Sequence, residues 1–323
     1  MAVGYPAGPV KQIAVTGSVA FDTIMVFPGR FGDHILPDKT HLINVSFLVD
    51  RLEKRRGGTA ANIAYNLALH GERPLLTAAV GNDFGDYDTA LRDAGVDTSA
   101  ALRCSDIPCA GAFITTDLDD NQITAFHPGA MGRGAQVDLT VHRDAVDTVV
   151  VAPDAPDGMA LHVDQAREMS ARLVFVPAQQ IPSLSDDTLR AGLEAAWMVV
   201  GNDYELELIR ARTGMSAADL RRGGALVALT RGADGSELHA PDGVVQVPVA
   251  PPREVVDPTG AGDAYVARLL AALRRGLPLD AAGRVAALSA TYAVEQQGTQ
   301  SHWYDRPAFA QRYREAFGVE PPG

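Results

Sequence analysis

Four short apolar runs recur in the second half of the chain, at residues 148–152, 173–176, 197–201 and 225–230. The first three are each followed by a helix-length segment of mixed polar and apolar residues. A strand that is apolar along nearly its whole length has no face to offer water. It must be covered on both sides, and parallel strands joined by crossover helices achieve this. Residues 13–17, Ile-Ala-Val-Thr-Gly, read as another buried strand running into a turn. Helix-like segments at 262–275, 280–296 and 307–317 close the chain. The expected fold class is therefore α/β, a doubly wound and mostly parallel sheet flanked by helices.

The first half breaks this rhythm twice. Residues 22–27 and 42–45 read as short strands around a loop rich in Pro and Gly. A helix is expected over 59–70, with Ala60, Ile63, Ala64, Leu67 and Ala68 on one stripe and Gly71 as its stop. A strand at 75–80 and a helix at 87–94, stopped by Gly95, follow. Two further apolar runs, 112–116 and 122–126, flank a polar turn from Asp117 to Asn121. The spacing predicts one domain over 1–323, with two β excursions near 18–56 and 105–130. Pairing them into a small lid sheet is the simplest way to bury both. Ligands of such folds sit at the carboxyl ends of the strands.

Charge and composition narrow the function. The 323 residues carry 28 Lys and Arg against 40 Asp and Glu, a formal charge of −12. That balance disfavours a nucleic-acid or anionic-membrane surface. The two cysteines, Cys104 and Cys109, make no disulfide framework and lack partners at zinc spacing. No run of 18 apolar residues predicts a membrane span, and the first residues carry no apolar secretory core, so a cytoplasmic location is expected. The only lysines are Lys11, Lys39 and Lys54, and none completes a P-loop. A protein kinase is excluded by the missing V-A-I-K and H-R-D segments. A dinucleotide-binding turn is disfavoured, because Gly17-Ser-Val-Ala-Phe-Asp22 stands after the first strand.

The most telling segment is Val256-Asp-Pro-Thr-Gly-Ala-Gly-Asp263, which opens directly into an apolar helix. Small residues let the backbone approach a ligand, and the free N–H groups of a helix start attract anions. Asp263 at that end reads either as a helix cap or as a base placed where negative charge collects.

Residues 257–263 resemble the C-terminal motif of the ribokinase-like (PfkB) family of sugar and nucleoside kinases. Three further segments resemble that family in the right order: Arg56-Gly-Gly-Thr-Ala-Ala-Asn62, Gly201-Asn-Asp-Tyr-Glu205 and Thr230-Arg-Gly-Ala-Asp-Gly235. Within the family, Phe27-Pro-Gly-Arg-Phe31, Ser46-Phe-Leu-Val-Asp50, Pro128-Gly-Ala-Met131 and Gln179-Gln180 look like adenosine kinases of actinobacterial type.

The resemblance implies a ribokinase-like fold and a role for each motif. Asp263 would take the proton from a primary hydroxyl, and the amides of Gly260, Ala261 and Gly262 would form an anion hole for the γ-phosphate. Asn202 and Glu205 would organise Mg²⁺, largely through water. A helix cap is the plain alternative for that pair. Thr230, Gly232 and Gly235, with Asn202, would border ATP. Asp22 would grip vicinal hydroxyls, beside Gly57, Gly58 and Asn62, with Ser18 touching base or sugar. Gln179 and Gln180 would read polar edges of the substrate. Asp257 and Thr259 resemble a monovalent-cation site that would take K⁺. Phe27, Phe31 and Phe47 would pack either inside one lid or between the two lids of a homodimer.

One departure touches substrate choice. Phe126 matches one of two lid phenylalanines expected to sandwich a nucleoside base, but its partner position holds Ala112. Phe113 is adjacent, and strand alternation points it to the other face. The expected activity is ATP-dependent phosphorylation of the 5′-hydroxyl of a purine nucleoside, adenosine to AMP. The alternatives are a ribokinase-like or fructokinase-like sugar kinase, and a regulatory protein that binds a nucleoside or sugar without catalysis.

Overall fold

A computed structural model describes residues 11–34, 45–119 and 121–322. The chain starts with β1 (Gln12–Thr16) and then leaves the main sheet through β2 (Ala20–Val26) and β3 (Arg51–Gly57). It returns by α1 (Thr59–Leu69) to β4 (Leu75–Leu76), β5 (Ala79–Val80), α2 (Gly85–Asp93) and β6 (Leu102–Arg103). A second departure forms β7 (Ala110–Thr116) and β8 (Gln122–His127). Alternation then sets in with β9 (Val146–Val151), α3 (Pro156–Glu168), β10 (Arg172–Phe175), α4 (Asp186–Ala195), β11 (Ala196–Asn202), α5 (Asp203–Thr213), α6 (Ala217–Arg222) and β12 (Leu226–Thr230). The hairpin β13 (Ser236–Ala240) and β14 (Gly243–Val247) precedes α7 (Ala261–Arg274), α8 (Leu279–Val294) and α9 (Arg306–Phe317).

The main sheet has the order β14-β13-β12-β11-β10-β9-β1-β4. Its strands from β4 to β12 run parallel, and β13 and β14 add an antiparallel edge. Alternate residues of each buried strand feed two cores. Val15, Val150, Val174 and Met198 face α1, α7 and α8, whereas Val149, Val151, Leu173 and Val199 face α3 and α4. This two-sided burial is why the strands are apolar throughout.

The two excursions pair into a second sheet of order β3-β2-β7-β8. The sequence did not suggest β3, since Arg51-Leu-Glu-Lys-Arg-Arg-Gly57 is mostly charged. As an edge strand it tolerates charge on its open side. The strand expected at 42–45 lies, except for its last residue, outside the described residues, and Val45 is irregular. The strand expected at 75–80 is two strands. Leu75–Leu76 joins β1, and Ala79–Val80 pairs with β6 in a separate ribbon. The β13–β14 hairpin was also not anticipated.

Phe27, Phe31 and Phe47 settle within one lid. Phe27 and Phe31 are buried, and Phe47 stands 4.8 Å from both by ring centroid. Asp117 fastens this cluster, because its carboxylate accepts the Phe31 N–H at 2.9 Å. The three rings therefore pack against one another, the within-lid arrangement of the two expected.

Candidate active site

A cavity of about 560 Å³ opens at the carboxyl ends of the parallel strands, beneath the second sheet. It brings together Ser18, Asp22, Gly58, Asn62, Phe126, Gln179, Gln180, Asn202, Glu205, Thr230, Thr259, Gly260, Gly262 and Asp263. The crossover topology creates this convergence. Ser18 follows β1, Gln179 and Gln180 follow β10, and Asn202 and Thr230 end the paired strands β11 and β12.

Asp263 sits in the first turn of α7. Burial pushes its carboxyl up to about 7, a hydrogen bond from Asn62 opposes that rise, and the charge of Glu205 adds to it. The Asn62 Nδ2–Asp263 Oδ2 distance is 2.9 Å. The other end of the Asn62 amide accepts from Thr299 Oγ1 at 2.8 Å and from Gln300 Nε2 at 2.9 Å. Two donors on the amide oxygen leave the NH₂ end for Asp263, so the network sets the orientation of the amide. Gln300 also donates to the Tyr87 hydroxyl, which donates to the Gly57 carbonyl at 2.9 Å. The loop at 299–300 and Tyr87 carry no motif, and the sequence did not point to them.

Gly260 starts α7 at φ 82°, and a Cβ there would stand 2.9 Å from Thr299 Cβ. Glycine is required on both counts. The Ala261 N–H turns back to the Pro258 carbonyl at 3.3 Å, and Ala261 does not line the cavity. Of the expected three-amide set, Gly260 and Gly262 are the residues that line the cavity. The positive end of the helix favours a phosphate at this point.

Asn202 and Glu205 form a reciprocal capping box on α5. Asn202 Oδ1 accepts the Glu205 N–H at 2.8 Å, and Glu205 Oε2 accepts the Asn202 N–H at 2.9 Å. Burial raises the Glu205 carboxyl, and the Asn202 amide counters it. Capping occupies one Glu205 oxygen and leaves the other for the cavity. A carboxylate with an amide neighbour near a phosphate pocket fits a hydrated divalent cation.

Thr230 lines the cavity, but Gly232 and Gly235 stand outside it. Gly235, at φ 85°, is demanded by the turn into β13, since a Cβ would lie 2.3 Å from the Val247 carbonyl oxygen. Gly57 is also outside the lining. A Cβ on it would meet Asp22 Oδ2 at 2.6 Å, so its smallness seats the Asp22 carboxylate. Gly58, at φ 91°, lets α1 start against the Ser18 carbonyl, and the Ser18 hydroxyl accepts the Thr59 N–H at 3.0 Å.

In the lid sheet, Ala112 stands directly opposite both Asp22 and Phe126. All three share the cavity-facing side, and Phe113 points away, as alternation requires. That face therefore presents one aromatic ring to the cavity. Burial raises the Asp22 carboxyl and the Arg55 charge opposes this.

The residues expected to hold K⁺ are otherwise engaged. Asp257 Oδ1 accepts the Thr259 N–H at 3.0 Å, Oδ2 accepts the Gly298 N–H at 3.0 Å, and Arg55 Nη1 stands 3.7 Å from Oδ2. Burial would raise this carboxyl, but these donors and the guanidinium hold it below its usual value. One N–H donor on each oxygen and a guanidinium beside the carboxylate thus occupy the surroundings in which the monovalent cation was expected.

Comparison with known proteins agrees with this geometry. Residues 17–306 match the sequence profile described as pfkB family carbohydrate kinase. A nucleoside kinase of Methanothermobacter thermautotrophicus is 31% identical over 318 residues, 97% of this chain and 98% of that protein. The structure of Burkholderia thailandensis nucleoside kinase in complex with inosine superposes with a TM-score of 0.85 at 35% identity, covering 97% of this chain and all of that one. The nucleoside kinase of Methanocaldococcus jannaschii, described as an archaeal member of the ribokinase family, has a TM-score of 0.82 at 25% identity, covering 96% of this chain and all of that one. These relatives support the coarser part of the expected likeness, to nucleoside kinases of this family, among them those of archaea and Burkholderia.

Proposed function

The chain belongs to the pfkB family of carbohydrate kinases and is an ATP-dependent kinase acting on an alcohol group; from that premise we propose that it phosphorylates the 5′-hydroxyl of purine nucleosides, adenosine among them, giving the 5′-monophosphate and ADP. The observation that carries this reading is the meeting of Asp263, Asn62 and the start of α7 in one cavity with the lid carboxylate Asp22.

Asp22 accepts the hydroxyl hydrogens of the ribose diol, and Gly58 allows the sugar to lie close to backbone. Phe126 offers one aromatic face to the base, while Gln179 and Gln180 offer polar groups to its edge. The 5′-hydroxyl then lies between Asp263 and the phosphate at the helix start. Its oxygen attacks the γ-phosphorus, the bond from that phosphorus to the bridging oxygen breaks, and the proton passes to Asp263 Oδ. A carboxyl near 7 is matched to this transfer at neutral pH. The Gly262 end of α7 stabilises charge on the transferring group. Glu205 and Asn202 would hold a hydrated Mg²⁺, which supplies charge neutralisation to the phosphates of the donor.

Affinity for adenosine and inosine follows from a base site with one ring and adaptable glutamines. Ala112 in place of a second ring is the observation that favours a free-sugar substrate instead. An ADP-release assay with Mg-ATP against adenosine, inosine, guanosine, cytidine, ribose and fructose tests both. Nucleoside turnover at micromolar substrate is expected; turnover of sugars alone would overturn the reading.

A further inference from the structure

Arg55 belongs to the lid sheet, directly opposite Asp22 in the β2–β3 register. Its side chain is only 14% exposed. Two of its nitrogens bind the Glu53 carboxylate, Nε at 2.9 Å and Nη2 at 2.8 Å. The third, Nη1, reaches out of the lid to Asp257. The stem passes over Gly298, where an added Cβ would lie 3.5 Å from Arg55 Cδ. The carboxylates around this guanidinium are therefore Glu53 on its own strand, Asp22 across the sheet and Asp257 beneath it.

Asp257 lies three residues before Gly260, and it ties two loops together through the Thr259 and Gly298 amides. The neighbouring Thr299 packs on Gly260 and holds Asn62. The charge state and position of Asp257 thus act on both the phosphate-binding turn and the residue that orients Asp263. A carboxylate beside a phosphate site repels the phosphate unless a cation neutralises it. Arg55 is that cation here, and it arrives covalently attached to the lid.

We infer that Arg55 is a positioning residue that takes the place of a bound monovalent cation beside Asp257, so that phosphoryl transfer by this chain is independent of K⁺. A free K⁺ at the same carboxylate would stand beside a guanidinium of like charge and would share its two oxygens with the Thr259 and Gly298 amides. Arg55 has a further consequence that a free ion could not have. It holds the loop at 257–260 to the same sheet that carries Asp22, so the sugar grip and the phosphate turn are fastened to one another.

This inference rests on the kinase reading, and the experiment separates the two. Turnover of wild type, Arg55→Ala and Arg55→Lys is measured at constant ionic strength, with N-methylglucamine replaced stepwise by K⁺, together with melting temperatures in the same buffers. Wild type is expected to change less than about twofold in kcat and not to shift in melting temperature. Arg55→Ala should lose roughly 10- to 100-fold in kcat, regain activity with K⁺ or methylguanidinium, and melt higher when K⁺ is present. Arg55→Lys should keep most activity without K⁺. Strong K⁺ activation or K⁺ stabilisation of wild type would overturn the inference, as would an Arg55→Ala variant that is unimpaired or that no cation restores. If wild type turned over neither nucleosides nor sugars, the kinase reading would fall. The melting shifts would then decide the cation question by themselves, since an Arg55→Ala variant without a K⁺-induced shift would overturn it.

Discussion

Asn62 and Asp263 stand 201 positions apart in the chain and are joined by a single hydrogen bond of 2.9 Å. The amide is not free to turn, because Thr299 and Gln300 both donate to its oxygen. Its NH₂ group favours the charged form of Asp263 against the burial that disfavours it. Asn62→Leu should therefore raise the pKa of Asp263 above about 7 and lower kcat by roughly 10-fold or more at neutral pH. The pH–rate profile checks this. The loss should shrink toward pH 9, and an unmoved acidic limb would contradict it.

Removal of the proposed base, Asp263, is expected to have a larger effect. Asp263→Asn should lower kcat by about 10³-fold with little change in ATP affinity. In wild type kcat should rise with pH through about 7, because the base acts when deprotonated. Stability moves the other way. The folded-state pKa lies above the unfolded value of 3.8, so the contribution is fully present below about pH 4 and is lost as pH rises from there through about 7. Asp263→Asn should therefore melt higher than wild type at pH 8, and the gap should narrow below pH 7 and close only near pH 4. Calorimetry across that range is the measurement.

The phosphate turn leaves no room for a side chain at Gly260. An alanine there would take on a φ of 82° and meet Thr299 Cβ at 2.9 Å. The backbone strain alone amounts to about 1–2 kcal/mol. Gly260→Ala should unfold at lower urea and should also lose kcat, because displacement of Thr299 loosens Asn62. Unchanged stability and turnover would refute the geometry of the turn.

Ala112 and Phe126 are directly opposed on the cavity side of the lid. A second ring there adds a stacking surface for a base, and such stacking contributes about 1–3 kcal/mol per base. Ala112→Phe should lower the KM for adenosine severalfold and leave that for ribose unchanged or raised. A parallel loss of affinity for both substrates would show that the position faces no base.

Legibility varied with how local each cause is. The runs at 148–152 and 173–176 could be read because a strand covered on both faces is apolar along its length, and Val149 and Val150 do enter opposite cores. Asp263, Gly260 and Asn62 could be read because their spacing belongs to one turn or one helix start. Arg51–Gly57 could not, since an edge strand with charged residues has no apolar signature. Thr299, Gln300 and Tyr87 were equally hidden, because each acts by touching a residue far away in the chain.

The amino-acid order alone determined the alternation of strand and helix, the glycines that only a tight turn needs, and the carboxylate at the start of α7. Those are properties of neighbours in sequence, governed by backbone sterics and burial. Folding decided the rest: which way the Asn62 amide turns, that the lid phenylalanines satisfy one another, and that Arg55 faces Asp257. Each of these depends on a hydrogen bond, ring contact or charge pair between distant segments, and such an interaction acts only once packing has brought its two ends within a few ångströms.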